Sequence, residues 1–164
     1  MKATFRKASV RDLPRLNEIV NDRETARFLN LIPPVTMKST REFFEHCRKT
    51  RSMLYCIIAD GKIAGSACLT PRRMDCKQAH VAEFGISIAK EFWGRHIGGK
   101  AIDFIVRKGR ERGIKRIEFE VVADNLRAMR LYEKKGFRKE GLKKNSLKIN
   151  GRYHDTVVMA RILK

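Results

Sequence analysis

The chain has 164 residues, 43% of them hydrophobic, which is enough for the core of one domain, and we predict a single domain over residues 1–164. Because charged residues lie where a signal peptide needs an apolar stretch, we expect no signal peptide. No apolar run approaches the roughly 20 residues of a membrane-spanning helix. We therefore expect a cytoplasmic monomer or homodimer with no membrane partner.

The net charge of +19 comes from 37 Lys and Arg against 18 Asp and Glu. Such an excess fits either a solvated basic surface or a polyanionic partner, such as RNA, the ribosome or an acidic protein. The cysteines form no C-x-x-C pair and no histidine lies at ligand spacing, so we predict no metal site. Cys56 and Cys68 lie in apolar runs, as buried free thiols do in a reducing compartment.

The first half of the chain predicts a strand at 4–8 and then a helix from the N-cap Ser9 to about Leu29. A second helix is predicted to begin at the capping box Ser39-Thr-Arg-Glu42. Two strands follow, at 53–59 and 63–69, joined by the turn dipeptide Asp60-Gly61.

The second half alternates strands with helices. Its predicted elements are a strand at 80–89, a helix at 97–112 ended by Gly113, a strand at 117–121, a helix at 125–135 ended by Gly136, and a hairpin of 137–147 and 152–163 turning at Asn150-Gly151. Hairpins together with crossovers indicate an α/β fold around a sheet that is only partly parallel.

The densest motif is the glycine-rich run from Phe92 to Ala101, between a predicted strand and a predicted helix. Glycines let a ligand approach the backbone, and free N–H groups at a helix start favour phosphate. Arg95 and Lys100 add positive charge. The run therefore predicts an anion site, and the alternative is a glycine-rich turn with surface cations.

A nucleoside triphosphate loop is a competing interpretation, because Gly94 to Lys100 fits G-x-x-x-x-G-K. The run Val121-Val-Ala-Asp124 would then be the apolar strand that ends in the aspartate of such a site. That loop requires Ser or Thr after the lysine to hold magnesium, and this chain has Ala101. We rank this interpretation well below that of a simple anion site.

Two segments resemble the motifs of a known family. Residues 81–101 resemble motif A of the GNAT acetyltransferases, and residues 125–137, with Asn125, Tyr132 and Gly136-Phe137 at matching spacings, resemble motif B. The resemblance implies a single GNAT-like α/β domain, with a mixed, mostly antiparallel central sheet, a splayed parallel pair and flanking helices. The stretch from Ala26 to Thr36 is similar to the branch that contains ribosomal-protein N-terminal acetyltransferases.

The resemblance also implies acetyl-CoA as cosubstrate. The pantetheine arm would pair with Ile86, Ser87 and Ile88. The remaining cofactor residues that it implies are Arg95, His96, Ile97, Gly98, Gly99, Lys100 and Asn125. The family loop usually reads Gln/Arg-x-x-Gly-x-Gly/Ala, so Trp93 and His96 depart from it. Gly85 lies where a bulge would splay the strands.

The reaction that the resemblance implies needs an acid for the departing thiolate and a base for the ammonium of the acceptor. Tyr132 lies seven residues after Asn125, hence on the same helix face, and we predict it as the acid; the alternative is a core tyrosine. Glu83 is predicted as the base, with Glu118 and Glu120 as rivals whose alternation with apolar residues suggests a solvent face. We predict that His154 and Asp155 are structural.

The function implied is transfer of the acetyl group of acetyl-CoA to an amine, either a protein N-terminus or a small molecule. A basic RNA- or ribosome-associated binding protein on the same fold is the alternative. With only 8% aromatic residues, the chain offers little for stacking of single-stranded bases.

Overall fold

A computed structural model describes residues 2–164. The first half contains β1 (Ala3–Lys7), a 3-10 turn (Val10–Asp12), α1 (Leu13–Asn21), α2 (Arg23–Ala26), α3 (Met37–Lys49), β2 (Met53–Ala59) and β3 (Lys62–Pro71). The second half contains β4 (Val81–Ile88), a 3-10 turn (Lys90–Phe92), α4 (Ile97–Glu111), β5 (Arg116–Val122), α5 (Leu126–Lys134), β6 (Arg138–Ile149) and β7 (Arg152–Ile162).

The seven strands form one sheet in the order β1-β2-β3-β4-β5-β7-β6. Only the central pair, β4 and β5, is parallel, and every other neighbouring pair is antiparallel. The helix α4 is the crossover that a parallel connection requires. The predicted fold class, a mixed and mostly antiparallel sheet with flanking helices, is confirmed.

Two predicted helix boundaries are wrong. The helix expected from Ser9 to Leu29 is broken at Asp22, whose extended backbone makes it the N-cap of α2, where its side chain accepts a hydrogen bond from the Thr25 N–H. The helix expected to begin at Ser39 begins at Met37, because Thr36 is the N-cap and accepts from the Ser39 N–H. In both cases the helix begins where a short polar side chain caps a backbone N–H of the first turn.

Both predicted hairpin turns are confirmed. Asp60 and Gly61 have φ of 49° and 73°, and Asn150 and Gly151 have φ of 49° and 80°. Two successive positive φ angles give the turn whose twist matches that of the flanking strands, and Asp-Gly and Asn-Gly adopt it most readily.

The sheet has a helix layer on each side. Cross-strand register puts Glu83 beside Glu118 on the face that α1, α2 and α3 cover, and this is called the front face below. Phe84, Phe119 and Phe137 lie on the opposite, back face, where they pack around Tyr132 of α5. None of the helices in residues 2–164 is both long enough and apolar enough to cross a membrane.

Candidate active site

A gap in the sheet positions the site. The strands β4 and β5 pair only from Val81 to Glu83 on one side and Arg116 to Glu118 on the other. Both strands continue beyond that point, β4 to Ile88 and β5 to Val122, without pairing to each other. The unpaired backbone edge of β4 is therefore available to a strand-like ligand. The bulge expected at Gly85 is wrong, because β4 stays in continuous register with β3 through that residue.

The glycine-rich loop ends at the start of α4. His96 is the N-cap and has a left-handed backbone, φ 59°, where the family pattern has glycine. Its side chain does not cap the helix, so it leaves the N–H groups of the first turn to other partners. Those N–H groups and the dipole of the 15-residue helix α4 fit an anionic ligand. The expectation of a phosphate-binding geometry at this loop therefore has a structural basis.

Gly98 and Gly99 lie in the first turn of α4, directly beneath α5. A Cβ on Gly98 would lie 3.0 Å from a methyl group of Leu131, and one on Gly99 would lie 3.1 Å from the Cε of Lys135. The glycines thus let the two helices approach closely as well as leaving the backbone accessible. Ile97 is buried below them, which anchors the start of the helix in the core.

The other residues predicted to hold the cofactor lie either along the gap or at the end of the gap where β4 leads into the loop. Ile86 and Ile88 are half-buried, and Ser87 is buried with its hydroxyl 3.0 Å from that of Ser66. Arg95 is exposed, stacks on the ring of Phe92 and lies 3.7 Å from Asp60.

Lys100 and Asn125 complete that set. The Lys100 side chain is exposed on the first turn of α4. Asn125 is the N-cap of α5, and its side-chain oxygen accepts from the Ala128 N–H at 3.2 Å. The cap fixes the start of the helix that carries Tyr132.

Tyr132 lies against the back of the gap. Its ring centroid is 4.4 Å from that of Phe119 and 6.4 Å from that of Phe84, and these two phenylalanines are the first residues after the last paired positions of β5 and β4. Burial raises the pKa of the Tyr132 hydroxyl to about 12. The group is therefore protonated at neutral pH, as an acid must be before it gives up its proton.

A cleft of ≈ 470 Å³ opens on the front face of the same gap. Its walls come from the loop after α2, the strands β4 and β5, and the hairpin of β6 and β7. Three carboxylates line it, those of Glu83, Glu118 and Glu120. Glu118 is half-buried and Glu120 is exposed, and the solvent-facing side on which we expected them lines this cleft.

Each carboxylate of the cleft has a basic partner. Arg72 lies 2.6 Å from Glu83 and 3.5 Å from Glu118. Arg116 donates to Glu118 at 2.7 Å. Glu120 accepts from Lys143 and from the Thr156 hydroxyl, and these bonds hold the pKa of Glu120 below its ordinary value. The cleft thus presents both signs of charge to a ligand.

His154 and Asp155 have partners within their own corner of the fold. His154 lies 3.4 Å from Asp124, and the Asp155 side chain accepts from the Asn145 N–H at 2.8 Å. Asp124, which the nucleotide-loop interpretation required, therefore faces β7. These contacts fit the structural role that we expected for His154 and Asp155.

Three features of the site were not predicted from the sequence. Arg72 lies in an irregular run after β3, and no motif connects it to Glu83 or Glu118. Trp93 donates its indole N–H to the Ile88 carbonyl at 2.7 Å, which ties the loop to the end of β4. Arg127 of α5 places its guanidinium over the Trp93 ring. The only available signal was the unusual tryptophan itself.

Comparison with known proteins decides the family. Residues 14–137 match the model of the acetyltransferase (GNAT) family, which is most of the chain. This chain belongs to the GNAT family. It is accordingly an acetyl-CoA-dependent N-acetyltransferase.

The relatives of this acetyltransferase differ in their acceptors. It is 27% identical, over 68% of each chain, to the L-amino acid N-acetyltransferase AaaT of Escherichia coli (strain K12). The ribosomal-protein-alanine N-acetyltransferase of Brucella melitensis shares its fold, with a TM-score of 0.87 at 23% identity, over 98% of this chain and 99% of that one.

A third comparison bears on the cofactor. The acetyltransferase yncA of Salmonella typhimurium, solved with its cofactor acetyl-CoA, has a TM-score of 0.88 at 18% identity, over 100% of this chain and 95% of that one. The shared fold places the ribosomal-protein branch as one of several structural neighbours, so the resemblance of residues 26–36 does not by itself assign the acceptor.

Proposed function

We propose that this acetyltransferase transfers the acetyl group to the α-amine of a free amino acid. The observation that carries the proposal is the gap between β4 and β5, which opens at the front into a cleft of mixed charge and is closed at the back by Tyr132. An amino acid has an ammonium for the carboxylates and a carboxylate for a cation. The amino acid acceptor named for the Escherichia coli relative supports the same class.

Arg72 is the cation that we propose for the acceptor carboxylate. Its side chain is 40% exposed beside Glu83 and Glu118, so part of the guanidinium is accessible from the cleft. A carboxylate matches the planar guanidinium. A free amino acid would therefore be oriented with its amine toward the carboxylates of the cleft.

The chemical step that we propose is direct attack. The ammonium first loses a proton to a cleft carboxylate, for which Glu83 is the proposed base, directly or through water. The amine nitrogen then bonds to the thioester carbonyl carbon and releases its second proton to water, the carbon–sulfur bond breaks, and the thiolate takes the hydroxyl proton of Tyr132. Solvent returns that proton. Backbone N–H groups of the unpaired β4 edge would stabilise the charge on the thioester oxygen.

Base and acid are supplied from opposite faces of the sheet in this scheme. The carboxylates lie at the front, Tyr132 lies at the back, and the gap joins them. A thioester held in the gap would therefore meet the acceptor on one side and the proton for its leaving group on the other. This division keeps the base from neutralising the acid.

Substituting Glu83, Glu118 and Glu120 one at a time by Gln tests which carboxylate is the base. Substitution of the true base should lower kcat about 10²-fold and change the KM for acetyl-CoA only slightly. The other two variants should change the KM for the acceptor more than kcat. If Glu118→Gln or Glu120→Gln carries the large loss and Glu83→Gln does not, the assignment of Glu83 is overturned.

A second acceptor class has its own support. The similarity of residues 26–36 to the ribosomal-protein branch, the Brucella melitensis neighbour and the net charge of +19 favour a protein N-terminus, with the ribosome or another acidic particle as the carrier of that substrate. A peptide acceptor has the same α-amine but lacks the nearby carboxylate. The two classes therefore differ in what Arg72 would contribute.

The experiment compares free L-amino acids with alanine-starting peptide amides, using Arg72→Gln as the discriminating variant. For a free amino acid the variant should raise the acceptor KM about 10-fold or more, because a charged hydrogen bond is lost. For a peptide amide it should leave the acceptor KM nearly unchanged, and any change in kcat caused by the lost ion pair with Glu83 should be the same for both acceptors. Faster turnover of the peptide by the wild-type protein, with no effect of Arg72→Gln, would replace the first proposal by the second.

A further inference from the structure

Arg127 is an exposed cation at the N-terminal end of α5, close to the mouth of the gap. Its guanidinium carbon lies 5.6 Å from the centroid of the Trp93 ring, which is the geometry of a cation–π contact. No carboxylate within residues 2–164 forms a salt bridge with it. The positive charge is therefore held in place by an aromatic ring and left available to an anion.

The ring that holds Arg127 is itself fixed. The Trp93 indole donates to the Ile88 carbonyl at 2.7 Å, and the side chain is only half-exposed. Ile88 is the last residue of β4, and Trp93 follows the 3-10 turn at the entrance of the loop. One indole thus links the end of β4, the loop and the first turn of α5.

The packing of the two helices places Arg127 beside the phosphate loop. Leu131 and Lys135 contact the positions of Gly98 and Gly99 in the first turn of α4. Arg127 precedes Leu131 by four residues, so it lies one turn earlier on the same side of α5. Its contact with Trp93 then puts the guanidinium over the start of the loop whose end carries Gly98.

Trp93 occupies the first position of the loop pattern. The family pattern usually has Gln or Arg there, and tryptophan has no charge to offer an anion. We infer that Arg127, seated on Trp93, takes over that position and binds a phosphate of coenzyme A. Arginine suits the task, because its planar fork donates two hydrogen bonds to one phosphate while its face stacks on an aromatic ring.

This inference rests on acetyl-CoA binding and adds to it a binding residue outside the loop. It also predicts which part of the cofactor is recognised. The pyrophosphate and the 3′-phosphate are both candidates for the contact, and the pantetheine arm is not. Arg127 would therefore contribute to affinity for the whole cofactor and contribute nothing to affinity for its acetylated arm alone.

The test compares Arg127→Gln with Arg130→Gln. Arg130 is exposed on the same helix but makes no contact with Trp93 and has no role in the proposed site. Calorimetry would give the dissociation constants of three ligands: acetyl-CoA, its 3′-dephospho form, and S-acetylpantetheine, which lacks the nucleotide. The melting temperature of each variant would confirm that the protein remains folded.

Arg127→Gln should weaken acetyl-CoA binding about 10- to 100-fold and leave S-acetylpantetheine binding unchanged, whereas Arg130→Gln should alter neither. A loss that persists with the dephospho ligand assigns the contact to the pyrophosphate, and a loss that disappears assigns it to the 3′-phosphate. Trp93→Leu should reproduce much of the loss by removing the platform.

Unchanged acetyl-CoA affinity in Arg127→Gln, or an equal loss for all three ligands, overturns the inference. Failure of the wild-type protein to bind acetyl-CoA would be a different result, since it would overturn the cofactor site as a whole. Because Trp93 is the sole tryptophan, its fluorescence gives an independent readout: it should respond to acetyl-CoA in the wild-type protein.

Discussion

The two faces of the gap are built in different ways. The proposed cofactor side consists of two short stretches of sequence, 92–101 and 125–132, and would bind through backbone groups at closely packed helix starts. The acceptor cleft draws side chains from segments as distant as Phe28 and Val158 and relies on paired charges. Backbone geometry determines which ligand the first kind of site can bind. In the second kind, the substitution of a single side chain can change which acceptor is preferred.

This difference explains why relatives with one fold are named for different acceptors. A phosphate site needs N–H groups in fixed positions, and any change of helix packing damages it. Exchanging a carboxylate or an arginine in the cleft leaves the sheet untouched. Substitutions on the two sides should therefore separate cofactor effects from acceptor effects.

The largest effect is expected at the point where the two sides meet. Tyr132→Phe should lower kcat about 10²-fold and leave the dissociation constant of acetyl-CoA almost unchanged, because the ring still packs against Phe119. The loss belongs to the lower part of the range for general acids, since a phenol with a pKa of about 12 is a weak proton donor to a thiolate.

Tyr55→Phe is the matched control, because Tyr55 is another buried tyrosine whose hydroxyl donates to Met53 in the core, away from the gap. It should keep wild-type turnover. The ratio between wild type and Tyr132→Phe should stay constant with pH until the region of pH 12, where the hydroxyl ionises. Wild-type turnover in Tyr132→Phe would make it a packing residue only.

Next in size is a substitution confined to the cofactor side. Gly98→Val should raise the KM for acetyl-CoA about 10- to 100-fold, because a branched side chain blocks approach to the N–H groups at the start of α4. The acceptor KM should change little. A Cβ at this position lies 3.0 Å from Leu131, so some loss of stability is expected as well.

Adding Leu131→Ala to Gly98→Val should restore part of the lost stability without restoring cofactor affinity. Gly141→Val, in β6 where no atom lies within 4 Å of an added Cβ, controls for glycine substitution in general. Unaltered acetyl-CoA affinity in a folded Gly98→Val variant would remove the loop from the phosphate site.

A smaller effect, on stability alone, is expected where neither side is involved. The buried carboxylate of Asp12 accepts two hydrogen bonds from Arg6, each 2.7 Å long, and two more from Ser9. Asp12→Asn should lower the free energy of unfolding by about 1–3 kcal/mol at pH 7, with no change in either KM.

The sign of its pH dependence follows from the pKa. The hydrogen bonds from Arg6, and then those from Ser9, hold the pKa of Asp12 well below its ordinary value. Its contribution is therefore present above the unfolded pKa of about 3.9 and is lost as the pH falls below that value. Denaturant titrations of wild type and Asp12→Asn should converge at low pH, and a difference that grows on acidification would contradict this account.

The last prediction is that one ligand has no effect on stability. ATP with magnesium should leave the melting temperature unchanged, because the buried Ala101 supplies no hydroxyl for the metal. Acetyl-CoA at about 100 times its dissociation constant should add about 2.7 kcal/mol of stability. Equal stabilisation by the two ligands would revive the nucleotide-loop interpretation.

The sequence was informative where the structure depends on local chemistry. Asp60-Gly61 and Asn150-Gly151 predicted both turns, and the segment that ends at Gly136 predicted the helix that carries Tyr132. These features require only neighbouring residues. The same is true of the anion-binding geometry at the start of α4.

It was less informative where distant segments meet. Asp22 begins a new helix inside a stretch that was predicted as one continuous helix, and Thr36 caps α3 three residues before the predicted cap at Ser39. The alternation around Glu118 and Glu120 suggested a solvent face, because nothing local shows that the loop at Phe28 and the β6–β7 hairpin close over them. Arg72 and Arg127 act through partners far along the chain, so neither stood out.

The central claim is that the gap joins a bound acetyl donor to an amine. The most direct measurement incubates the protein with acetyl-CoA and a free L-amino acid or an alanine-starting peptide amide, and follows both products by mass spectrometry. The account predicts an acetyl group on the α-amine and an equal amount of released coenzyme A. Release of coenzyme A by hydrolysis alone, or cofactor binding without transfer to any amine, would contradict it.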